Sequence, residues 1–117
     1  MDNKTEVNVK FESGIDNLER ERFNRFVDEN KHYLKELDKL HDWWIVEYKE
    51  ICNTYFGKHG IDKVVFGARL NNLVNDINNN RLPINKRHWA VVYRVNTEYT
   101  KQLAKLSAEC KEMLNVI

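Results

Sequence analysis

The sequence predicts an all-α protein: an antiparallel helical bundle of three segments, with two long heptad-patterned helices and a short middle helix. The 117 residues include one proline and four glycines, and so few helix breakers favour long helices. Apolar side chains recur at spacings of three and four residues, as in packed helices. Residues 1–12 are predicted to be an extended or disordered arm, and residues 13–117 a single helical domain.

The arm and the first helix are separated by a helix-start signal. Before it, Val7, Val9 and Phe11 alternate with polar residues, which is a strand-like pattern with no second strand to pair with. Ser13 and Asp16 then have the spacing of a capping signature, so the first helix is predicted over about residues 14–56. Its seam alternates four- and three-residue steps through Phe26, Asn30, Tyr33, Leu37, Leu40, Trp44, Glu47 and Ile51.

A helix of this length has more apolar seam than one short neighbour covers, since it would extend about 60 Å at 1.5 Å per residue. Two outcomes follow from that mismatch. Either the helix breaks near His41, or a second copy of the chain covers the excess in a homodimer. The sequence slightly favours the homodimer.

Two predicted breaks define the other helices. Gly57 and Gly60 mark the first break, and the Asn-Asn-Asn-Arg-Leu-Pro stretch at 78–83 marks the second. The middle helix is then predicted over residues 62–79 and the third over 85–115. Each begins at a capping residue flanked by an apolar pair at staple spacing: Asp62 with Ile61 and Phe66, and Asn85 with Ile84 and Trp89.

The first candidate site is a run of apolar residues in the first helix. Trp43, Trp44, Ile45 and Val46 point in different directions, so the helix is apolar on every side at this point. Packing of the middle helix there is one explanation. A partner-binding surface is the other, with Trp43, Val46 and Tyr48 as its apolar anchors, because Trp and Tyr are favoured at interfaces.

The second candidate site is a basic stripe on the third helix. Arg87, Arg94, Lys101 and Lys105 lie on one side of that helix, away from its apolar seam. The stripe is predicted to be a solvated face, the electrostatic rim of a protein interface, or a phosphate-binding face. Glu98 and Glu112 interrupt it, which weakens the nucleic-acid interpretation.

Catalytic and metal-binding signals are weak. The four histidines and two cysteines show no metal-ligand spacing, and the many carboxylates are scattered over helical outer faces. We therefore expect no enzyme activity, no metal and no cofactor. The first twenty residues lack a signal-peptide core, no apolar run is long enough for a membrane span, and two cysteines make no disulfide scaffold, so a cytoplasmic protein is expected.

These observations predict a small non-catalytic binding or regulatory protein that acts through a helical protein–protein interface. An accessory protein or inhibitor of a phage or mobile element, which occludes the working surface of a protein partner, suits the size and the Asn- and Lys-rich composition. The alternative is a DNA- or RNA-binding regulator that uses the basic stripe. A helix-turn-helix there is disfavoured, because the joint at 78–84 exceeds the usual turn of about three or four residues.

Overall fold

The computed structural model describes residues 2–55 and 61–116, and all of them except Asp2 are helical. Helix α1 spans Asn3–Tyr55 with 53 residues, and helix α2 spans Ile61–Val116 with 56 residues. The predicted all-α class with two long helices is confirmed, and the described ranges contain no strand. A separate short middle helix is not observed, and the break at Gly57 and Gly60 lies outside the described residues.

The predicted N-terminal arm is wrong, because residues 3–12 form the first turns of α1. Asp2 caps this helix: its carboxylate accepts a hydrogen bond of 2.7 Å from the backbone N–H of Thr5. That bond favours the charged carboxylate and lowers the pKa of Asp2. The alternation of Val7, Val9 and Phe11 resembles a strand, but Val7 and Phe11 are also one helical turn apart and lie on the same side of α1. Val9 lies on another side and is exposed.

The predicted break at 78–83 is also wrong, because α2 continues through Pro83. Proline has no N–H to donate to the Asn79 carbonyl, so the helix loses one hydrogen bond there. Packing outweighs this loss, since Ile77 and Ile84 on either side of Pro83 are partly buried. Asn85, predicted as a helix cap, lies inside α2 and accepts a hydrogen bond of 2.6 Å from the Tyr33 hydroxyl.

Contacts divide the chain into two compact units. Unit 1 consists of Met1–Asn30 and Trp89–Ile117, and unit 2 consists of Lys31–His88. Each unit contains one segment of α1 and one of α2, packed antiparallel. The single domain predicted over residues 13–117 stays a prediction, since this division concerns contacts and not independent folding. The proposed break near His41 does not occur, because α1 is continuous there.

Unit 1 has a narrow apolar strip as its interior. Val95 is 2% exposed, and Val7 and Cys110 are also buried. The helices approach closely at Gly14, where an added Cβ atom would lie 2.5 Å from a methyl carbon of Leu106. A side chain at this glycine would therefore force Leu106 to move.

Unit 2 combines apolar and polar packing. Leu73 is its buried apolar residue, and His88 is buried as well. The Tyr33 ring stacks on the His88 ring with centroids 3.9 Å apart. The Tyr33 side chain also makes the hydrogen bond to Asn85, so this one side chain connects the two helical segments through two contacts.

Replacing Pro83 by alanine should raise the free energy of unfolding by about 1–3 kcal/mol, since it restores a backbone donor and helix propensity. Urea unfolding followed by circular dichroism measures the change. Leu82→Ala, at the exposed neighbouring position, serves as the control and should change stability by less than about 0.5 kcal/mol. A less stable Pro83→Ala protein would contradict a continuous α2.

Candidate partner-binding surfaces

The three predicted apolar anchors lie on α1 within unit 2 and are all exposed. The exposed fractions are 38% for Trp43, 62% for Val46 and 42% for Tyr48. Trp43 and Val46 are three residues apart and therefore lie on the same side of α1. Tyr48 lies on another side, where its ring stacks on Trp44 with centroids 5.4 Å apart. The structure thus brings two of the three anchors together, and we call Trp43 and Val46 the Trp43 face.

Acidic side chains lie beside Trp43 on one side of this face. Trp43 lines a shallow depression of about 240 Å³ together with Glu47, Glu50 and Asp76. Arg69 lines it as well, so three carboxylates stand against one guanidinium group, which donates a hydrogen bond of 3.3 Å to the Tyr55 hydroxyl. The charge next to Trp43 is therefore mainly negative.

On another side of unit 2, α1 and α2 form an apolar groove of about 850 Å³, which we call the unit-2 groove. Its principal apolar walls are Leu34, Leu37 and Trp44 from α1 and Val74 and Ile77 from α2. Leu34 is 50% exposed and Val74 is 53% exposed, so the groove is open to solvent. Such apolar side chains exposed together indicate a binding surface.

Sequence reasoning recognised only half of this groove. Tyr33, Leu37, Leu40 and Trp44 belong to the α1 seam predicted from the sequence, but Val74 was not assigned to any surface. The signal that could have found Val74 is its three-residue step to Ile77, followed by the four-residue step from Ile77 to Arg81. Only the antiparallel packing shows that both sets line one groove.

Two charged side chains line the unit-2 groove, one from each helix. Asp38 belongs to the α1 wall and Arg81 to the α2 wall. The register that pairs Tyr33 with Asn85 also sets Asp38 and Arg81 at the same height along the unit. Among the ion pairs of the described residues, none includes either of them.

The basic stripe is distributed over the two units. Arg87 belongs to unit 2, where its Nε atom lies 3.5 Å from a carboxylate oxygen of Glu36. Arg94, Lys101 and Lys105 belong to unit 1 and are exposed. The stripe within unit 1 therefore consists of three cations, and Arg87 has a carboxylate neighbour of its own.

Glu98, which interrupts the stripe, is engaged by a cation from α1. The Arg25 guanidinium donates a hydrogen bond to its carboxylate and lowers the pKa of Glu98. Burial opposes this effect, and the charges of Arg25, Arg94 and Lys101 lower that pKa further. Arg25 therefore compensates the acidic residue that separates the exposed cations.

Unit 1 has apolar surface of its own. Phe23, Trp89 and Tyr93 are all largely exposed. A second groove, of about 720 Å³, lies beside Met113, whose sulfur is 3.6 Å from the Lys10 ammonium group. Three glutamates line this groove, so it is more acidic than the unit-2 groove: Glu6, Glu109 and Glu112.

Side chains that could bind a metal or react as nucleophiles include the histidines, cysteines, carboxylates and the Tyr48 phenol. No group of three or more His, Cys, Asp or Glu side chains within them is placed to hold a metal ion, and His59 lies outside them. Cys52 and Cys110 are free thiols, and Cys110 is buried. The Cys52 thiol, one turn from Tyr48, raises the pKa of the Tyr48 phenol by hydrogen bonding, so this phenol is neutral at physiological pH.

Over the residues described, neither α1 nor α2 contains an apolar stretch of the length and hydropathy needed to cross a bilayer. Comparisons of the chain with models of protein families, with curated proteins and with solved structures find no match. What the chain does must therefore be inferred from its own side chains.

The Arg25–Glu98 pair should make stability depend on pH in the acidic range. Folding lowers the pKa of Glu98. The ionised carboxylate therefore stabilises the folded protein when the pH is above 4.5, the ordinary pKa of this group. This contribution is lost as the pH falls through the lowered pKa. Glu98→Gln should therefore reduce the melting temperature at neutral pH, and the difference from wild type should disappear in acid.

Melting curves measured from pH 7 downward test this, with Glu12→Gln as the control. Glu12 is exposed on α1 and takes part in none of the ion pairs of the described residues. An equal effect of both substitutions at every pH would show that the Arg25–Glu98 contact contributes nothing.

Proposed function

We propose that this chain is a small non-catalytic binding protein that regulates or inhibits a protein partner by covering its working surface. The observation that carries the proposal is the Trp43 face, where Trp43 and Val46 are exposed side by side on a long, regular helix. Tryptophan is among the residues most enriched at the energetic centres of protein interfaces. A helix surface also changes little in shape on binding, which lowers the entropic cost of association.

The size of the exposed surface is sufficient for an anchor. A tryptophan carries roughly 150–250 Å² of buriable surface, and Trp43 leaves 38% of its surface exposed. Covering that fraction contributes about 2 kcal/mol at about 25 cal/mol per Å². This is the magnitude of a hot spot, and Val46 adds apolar area beside it.

The charges next to Trp43 indicate what the partner presents. Glu47, Glu50 and Asp76 line the same depression, so the complementary surface is basic at its rim and apolar at its centre. The acidic rim replaces the basic rim that the sequence predicts for these anchors. A partner that itself binds a polyanion through a basic surface would be blocked by such a face.

Free Cys52 and Cys110 suit a reducing compartment, so we place the protein in the cytoplasm. The Asn- and Lys-rich composition supports an accessory protein of a phage or mobile element.

Trp43→Ala should weaken partner binding by roughly tenfold or more, because it removes the apolar centre of the face. The partner is captured from a lysate of the source cell in the presence of nuclease and then purified. Its affinity for wild-type and variant proteins is measured by calorimetry, and circular dichroism checks that the variant is folded.

Trp89→Ala is the matched control, since Trp89 is an exposed tryptophan of unit 1 outside the Trp43 face. It should leave the affinity within about twofold of wild type. If Trp43→Ala unfolds the protein, or if both substitutions weaken binding equally, the Trp43 face is not the anchor.

A second candidate function is binding of DNA or RNA through the basic stripe. The observation in its favour is that Arg94, Lys101 and Lys105 are exposed on one side of α2 while Arg25 engages the interrupting Glu98. Three cations over three turns can follow a phosphate backbone.

Combining Arg94→Glu with Lys101→Glu should abolish nucleic-acid binding if this second function holds. The wild-type affinity should fall with salt at a logarithmic slope of roughly −0.9 for each phosphate contacted in duplex DNA. Fluorescence anisotropy with labelled DNA and RNA measures both effects. Lys31→Glu with Lys35→Glu makes the same charge change on exposed residues of unit 2 and should leave binding intact. Unchanged binding by the stripe variant would exclude the function.

A further inference from the structure

We infer that the unit-2 groove is the contact surface for a second copy of this chain, so that two copies of unit 2 form a four-helix bundle. About half of the Leu34 surface and half of the Val74 surface are exposed in this groove. This surface is distinct from the Trp43 face. The inference therefore does not depend on the proposed function.

The spacing of the wall residues suits a pair of helices as the occupant. On α1 the walls step by three, four and three residues from Leu34 through Leu37 and His41 to Trp44. On α2 they step by three and four from Val74 through Ile77 to Arg81. This alternation is the seam pattern of helices that pack nearly parallel or antiparallel in bundles.

Charge selects the chain itself as the source of those helices. A two-fold axis parallel to the helices places α1 of one copy over α2 of the other, antiparallel and at the same height. Asp38 then faces the partner's Arg81, and the reciprocal pair forms on the other side of the axis. Neither residue has an ion-pair partner among the described residues, so each gains one in the dimer.

The groove of unit 1 does not offer the same match. Its walls carry three carboxylates and one ammonium group, from Glu6, Glu109, Glu112 and Lys10. Two copies placed face to face there would bring together surfaces of net negative charge. The unit-2 groove carries one charge of each sign and is therefore self-complementary.

The oligomeric state tests the inference directly. Sedimentation and light scattering should give a mass twice the 14.0 kDa of the chain, falling toward the monomer mass on dilution. Leu34→Lys should raise the dimer dissociation constant by roughly tenfold or more, because it places a charge in the apolar interface. Val46→Lys is the matched control, since Val46 is at least as exposed but lies outside the groove, and it should leave the dimer intact.

Variants that reverse the charge of Asp38 or of Arg81 distinguish an ion pair between two copies from an ion pair within one copy. Asp38→Arg places two cations in the groove, and Arg81→Asp places two carboxylates there. Each variant alone should dimerise more weakly than wild type. An equimolar mixture of the two should form a heterodimer with affinity near that of wild type, because every pair across the interface is again oppositely charged.

Three results would overturn the inference. The first is a wild-type chain that is helical but monomeric up to millimolar concentration. The second is a dimer that Val46→Lys weakens as much as Leu34→Lys. The third is a failure of the mixed charge variants to associate. Trp43→Ala should leave the dimer mass unchanged, so loss of partner binding and loss of dimerisation are separately measurable.

Discussion

Each helical segment in this protein has one helical neighbour within its unit, and the other features depend on that constraint. Two helices in contact can bury one strip of side chains between them. Among the described residues the buried apolar side chains are accordingly few: Val7, Leu73, Val95 and Cys110. Large apolar residues that would belong to the core of a three- or four-helix bundle instead lie on the flanks of the pair.

Polar contacts between the helices compensate for the narrow interior. In unit 2, Tyr33 stacks on His88 and donates its hydroxyl to Asn85. In unit 1, Arg25 reaches Glu98 and Arg22 lies 3.9 Å above the centre of the Tyr99 ring. These contacts involve long side chains at the borders of the apolar strip, where they specify which residues of α1 and α2 face each other.

The flanks of unit 2 differ in chemistry, and this difference separates the two inferred interactions. The Trp43 face is apolar with a rim of carboxylates, which favours a partner of opposite charge. The unit-2 groove is apolar with one acidic and one basic wall residue, Asp38 and Arg81, which favours a surface like itself. A dimer built on the groove would display the Trp43 face twice, and two linked faces strengthen binding to a repeated partner.

From the sequence alone it was determined that the chain is helical, that its helices are long, and that α1 is apolar on several sides around Trp43 and Val46. Those properties follow from local spacing and from the scarcity of breakers. Only the tertiary structure decided that α2 continues through Pro83 and that Tyr48 lies apart from the other two anchors. It also decided that Val74 faces the α1 wall across a groove. The physical reason is that packing along an antiparallel helix pair exceeds both the contribution of a cap, about 1 kcal/mol, and the cost of an interior proline, about 3 kcal/mol. The register of such a pair depends on contacts between residues far apart in the chain.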